Sequence, residues 1–103
     1  MTALTARFKQ APPETRRYII DYTLGLNPSE QVIGVVPSIT SPTGDNPANF
    51  TIASIVLISG GLQVAFFASG GVNGQSYEVR LLATTSIGQI LEDVAQFDIQ
   101  DKV

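Results

Sequence analysis

Side chains able to do chemistry are few in this sequence. Its 103 residues include no His and no Cys. Their absence removes the commonest general base, the commonest metal ligand and the usual partner of a Ser or Cys nucleophile. Ser59, Ser69 and Ser86 have no His to activate them. Glu92-Asp93 is the one adjacent carboxylate pair, and neighbours on a strand point to opposite faces, so the two cannot share a proton or a metal. Asp45 with Asn46 falls far short of the roughly six to eight oxygens that calcium needs. Ser69-Gly70-Gly71-Val72-Asn73-Gly74 invites comparison with phosphate-cradling loops. It lacks the Lys-Ser/Thr of such loops, and a strand pattern rather than a helix follows it. Gly70, Gly71 and Gly74 therefore read as a tight connection that needs positive φ. We expect no catalytic constellation, no metal site and no cofactor.

Charge offers a different kind of function. The net charge of −3 is unevenly spread: residues 1–17 carry Arg7, Lys9, Arg16 and Arg17 against Glu14, while residues 18–103 are acidic. Residues 1–15 lack periodicity and end near Pro12-Pro13, which favours extended backbone. The reading is an extended N-terminal arm over 1–15 and a folded domain over 16–103. Arg7, Phe8, Lys9, Arg16 and Arg17 are the expected partner-binding residues, docking on an acidic or grooved surface of a neighbour. Four basic residues on an acidic body make a poor footprint for nucleic acid, and none is expected.

The positions of these residues depend on strands. Hydrophobic residues make up 44% of the chain and charged ones 15%, which predicts a single folded core. Tyr18, Ile20 and Tyr22 alternate with Ile19, Asp21 and Thr23, giving a first strand. Glu30–Val36 gives a second, which Pro37 should end. Residues 37–49 form the longest irregular connection, then Phe50–Ile58 and Leu62–Ala68 form a hairpin across Ser59-Gly60-Gly61. No charged residue lies between Asp45 and Glu78. A single membrane-spanning helix is nevertheless not expected, because this turn divides the stretch into two strand lengths rich in Ile, Val and Phe. The hairpin should be buried on both faces, one meeting the core and the other a loop, the arm or another subunit. Tyr77–Thr85 alternates cleanly, Thr85-Ser86-Ile87-Gly88 turns the chain, and Gln89–Gln100 returns with a phase shift that suggests a bulge near Val94–Gln96. The fold class is all-β, an immunoglobulin-like sandwich of about six to seven strands.

Two stretches carry resemblances. The run from Ser69 to Val79, continuing through Ala83–Gln89, resembles the last two strands of an immunoglobulin-like or fibronectin-like sandwich. That likeness implies a tyrosine corner at Tyr77, its hydroxyl bonded to backbone just upstream. Pro12-Pro13-Glu14 followed by Tyr18-Ile19-Ile20-Asp21-Tyr22, with Glu30, Ile33 and the Ser-Gly-Gly and Thr-Ser-x-Gly elements, resembles small virion proteins of tailed bacteriophages. The chain departs from that pattern in having no Trp after Asp21-Tyr22. The resemblance implies a non-enzymatic fibre-to-tail adaptor in the virion, assembled in the host cytoplasm, binding tail, fibre or major capsid subunits in multiple symmetric copies. A capsid cement protein and a carbohydrate- or receptor-binding module using the 37–49 loop are the alternatives.

Overall fold

A computed structural model describes residues 6–101. Among the described residues seven strands follow one another: β1 (Ala6–Gln10), β2 (Thr15–Asp21), β3 (Val32–Thr40), β4 (Phe50–Ile58), β5 (Gln63–Gly70), β6 (Ser76–Thr85) and β7 (Ile90–Ile99). They form two sheets, β1-β7-β6-β3 and β2-β5-β4. This is the pairing of an immunoglobulin-like sandwich, with the first strand placed beside the last. Among the described residues no helix is long and apolar enough to cross a membrane.

The period-two pattern decides which side chains meet inside. Tyr77, Val79, Leu81 and Ala83 of β6 pair with Phe97, Ala95, Asp93 and Leu91 of β7 on the inner face. From the opposite sheet come Phe66 and Ala68 of β5, with Phe50 at the start of β4. A second cluster, Tyr22, Val32, Val64 and Ala83, closes the other end. Phe97 lies among three rings, its centroid 5.2 Å from Phe8, 5.1 Å from Tyr18 and 5.1 Å from Phe50.

Several expectations need correction. Ala6–Gln10, read as part of an arm leaving the domain, is strand β1 and runs parallel to β7, with Phe8 opposite Phe97. Alternation explains this: Ala6, Phe8 and Gln10 face the core while Arg7 and Lys9 face out. The sandwich therefore starts before residue 16, and the arm reading keeps only residues 1–5, which lie outside the described residues. Pro12-Pro13 does not continue an extended segment. It lies in a turn closed by the Glu14 N–H donating to the Ala11 carbonyl (3.0 Å), and this turn carries the chain from one sheet to the other.

Pro37 does not end β3, which runs on to Thr40. The strand lies at the edge of its sheet, where a missing N–H is tolerated if it faces away from the neighbour. The hairpin expected to be buried throughout is buried in β5 but largely exposed in β4, because β5 is central and β4 an edge. No bulge interrupts β7: Ile90 and Val94 sit on its outer face in unbroken register with β6. The bulges are in β3, between Val32 and Gly34, and in β4, between Ala53 and Val56, where Ser54 has φ 55°.

Candidate partner-binding surface

At one end of the sandwich the glycine-rich connection is a braced corner. The Val72 N–H donates to the Tyr77 hydroxyl (2.9 Å), which itself donates to Asp45. Tyr77 is fully buried and stacks on Phe50 with centroids 5.0 Å apart. Gly70, Gly71 and Gly74 have φ of 83°, 94° and 85°, a region that side chains with a Cβ rarely occupy. The Gly71 N–H donates to the Asn49 carbonyl (2.7 Å), tying this corner to the turn that leads into β4.

The connection between β3 and β4 is fastened to the same corner. The Ser41 hydroxyl donates to the Ser76 carbonyl (2.9 Å), and the Thr43 hydroxyl accepts the Ser76 N–H (3.0 Å) and donates to Gln75 Oε1 (2.7 Å). The hydrogen bond from Tyr77 foremost, then one from Asn49, holds the Asp45 carboxyl below its ordinary range. These polar side chains are therefore engaged with the chain itself. Sequence reasoning found the loop but not the role of Asp45. A carboxylate 32 positions from the tyrosine that bonds it leaves no local signal.

At the other end Glu30 is buried and accepts the Asn27 N–H (2.8 Å) and the Gln89 side-chain amide (2.8 and 2.9 Å). It staples the turn before β3 to the β6–β7 hairpin. Glu92 and Asp93 point to opposite faces. Glu92 meets Arg80 at 3.1 Å on the outside. Asp93 faces inward by Tyr22, whose phenol is raised by burial and then by the Asp93 charge. Among the described residues no group of three or more acidic side chains is placed to hold a metal.

The residues expected on the arm are divided by the structure. Phe8 packs inward, 4.5 Å from Tyr18 by ring centroids. Arg7 pairs with Asp98 of its own chain, Nε to Oδ2 at 2.6 Å. Lys9, Arg16 and Arg17 are exposed. Burial disfavours the Asp98 charge, but hydrogen bonds from Arg7, Ser76 and Gln96 outweigh it and hold this carboxyl down to about 2. A carboxyl depressed in the folded state contributes stability that is complete above its unfolded pKa, near 4, and is lost as pH falls towards 2. In urea melts, Asp98→Asn is expected to flatten the loss of stability between pH 5 and 2.5 by about 1 kcal/mol, a figure reduced because Arg7 faces water. An unchanged pH slope would show that Asp98 has no part in acid sensitivity.

As it does at Val36, Leu82 and Ile90 on the other sheet, the fold leaves apolar side chains uncovered on the outer face of β2-β5-β4. Register sets Ile19, Ala65 and Val56 in one row across it and Arg17, Phe67 and Ala53 in the next. Ile19 is 48% exposed, Val56 48% and Phe67 39%, around a fully buried Ala65. The sequence signal for this face was present, since Phe50–Ala68 is apolar on both alternating sets of positions. The apolar surface continues from Ile19 round the β2 edge into a cleft lined by Phe8, Tyr18 and Phe66.

Over residues 10–98 the chain matches the model of a family described as the podophage GP4 fiber-tail adaptor protein gp77. The chain belongs to this family. No curated protein matches it. The match spans everything from the end of β1 almost to the end of β7, so the braced corner and the exposed face are both inside it. A phage fibre-to-tail adaptor is a structural component of the virion that binds other tail and fibre proteins. That role calls for surface rather than catalysis.

Proposed function

We propose that this adaptor joins fibre to tail by seating the outer face of β2-β5-β4 against a neighbouring virion subunit. Lys9, Arg16 and Arg17 stand near its β1–β2 margin and meet acidic groups of that neighbour. The observation that carries this reading is the exposure of Ile19, Val56 and Phe67 together on one face. Contiguous apolar side chains rimmed by polar ones mark protein interaction surfaces. Within a symmetric assembly, several copies turn modest individual contacts into firm attachment.

Deleting the N-terminal segment is a poor test, because it removes β1 and Phe8 from the core. Ile19→Asp/Phe67→Asp is better. Both side chains point outward, so the variant should melt close to the parent. Its occupancy in assembled particles should fall by at least about ten-fold, as expected for two central apolar contacts replaced by charge. Normal occupancy of the folded double variant would rule this face out.

A further inference from the structure

The sandwich has four strand edges, and three are protected against pairing with a foreign strand. β1 carries Arg7 and Lys9, and β2 carries Arg16, Arg17 and Asp21. β3 has Pro37. Charges and prolines at sheet edges are devices that block edge-to-edge association. β4 is different. Phe-Thr-Ile-Ala-Ser-Ile-Val-Leu-Ile contains no charge and no proline, lies at the edge of its sheet and is mostly exposed. Its one irregularity is the bulge between Ala53 and Val56.

We propose that the β4 edge is a strand-addition site, occupied in the virion by an extended, uncharged segment of a fibre or tail subunit with apolar side chains at alternate positions. The inference rests on the adaptor reading above and names how that surface is completed. An edge strand in a sheet directs alternate N–H and C=O groups away from its neighbour, and a partner strand satisfies them. Neutrality selects the occupant, because a charged segment would lie against Val56, Ala53 and the rest of an uncharged strand. The bulge argues against a second copy of this chain: a two-fold axis near Ser54 would set bulge against bulge and interrupt the ladder at its middle. A partner's alternate side chains would also extend the row of Ile19, Ala65 and Val56, making the added strand continuous with the exposed face.

Amide hydrogen exchange of the full chain, free and assembled in particles, tests this. The expected result is exchange slowed by about ten-fold or more at β4 amides in the particle, with the β2 edge unchanged. Thr51→Lys/Ala53→Lys should abolish that protection and lower occupancy while melting within a few degrees of the parent. Equal β4 exchange in both states overturns the inference, as does protection at β2 instead. A free chain that is already dimeric with β4 protected overturns it too, since the occupant is then a second copy. The two readings fail separately. If Ile19→Asp/Phe67→Asp blocks incorporation but β4 stays unprotected in the parent particle, the edge inference falls and the face reading stands. If that double variant incorporates normally, the face reading falls whatever the amides show.

Discussion

Replacing Phe97 by alanine is expected to lower the free energy of unfolding by roughly 3–5 kcal/mol, the range for deleting a buried ring. Phe97 is fully buried and stands where both sheets meet, touched by Phe8 from β1, Tyr18 from β2 and Phe50 from β4. Those neighbours are fixed on three separate strands, so the cavity cannot collapse by moving one of them. For a domain of about 100 residues the loss corresponds to a fall in melting temperature on the order of 15–30 °C. It would consume a large part of the roughly 5–15 kcal/mol that holds such a domain together. Phe97→Leu keeps most of the volume and should lose about half as much. Thermal and urea melts of both variants, beside Ile19→Ala as an exposed reference, check this. A Phe97→Ala loss no larger than that of Ile19→Ala would mean that the ring cluster is not the rigid centre of the fold.

The same cluster shows where sequence reasoning succeeds and where it stops. Tyr77, Val79, Leu81 and Ala83 announce β6 because the strand alternates between a buried and a wet face. Thr85-Ser86-Ile87-Gly88 announces its turn, with Gly88 at φ 90°. β1 was hidden for two physical reasons. Five residues with two charges give little pattern, and the partner of Phe8 is Phe97, at the far end of the chain. Pattern reads one strand at a time and carries no information on such parallel pairing. The same limit separated β4 from β5. Both strands are apolar at nearly every position, yet burial follows position in the sheet, centre for β5 and edge for β4. Sequence thus exposed the excess of apolar surface, while topology assigned it to an outer face and an open edge. Pro37 misled for the converse reason: a local rule about strand termination applies to central strands and is relaxed at an edge.

The corner offers a sharper comparison, between two glycines with nearly the same backbone. Gly71→Ala is expected to lose roughly 2–4 kcal/mol, and Gly74→Ala only about 1 kcal/mol. Both residues have left-handed φ, 94° and 85°, so the conformational cost of adding a Cβ is common to both. What differs is the space. A Cβ on Gly71 would stand 2.6 Å from Ile99 Cγ1 and 3.1 Å from the Tyr77 ring, whereas nothing lies within 4 Å of one on Gly74. Relief at Gly71 requires moving Ile99 or Tyr77, and Tyr77 is held by Val72, Asp45 and the Phe50 ring. The disturbance should therefore pass to Asn49, whose carbonyl accepts the Gly71 N–H, and so to the first residues of β4. Urea melts of the two variants measure the difference in stability, and amide exchange over Phe50–Ala53 measures its spread. Equal losses of about 1 kcal/mol would show that backbone strain alone governs the corner. A larger loss at Gly71 with faster exchange in β4 would show that packing at the corner fixes the start of the strand proposed to receive the partner.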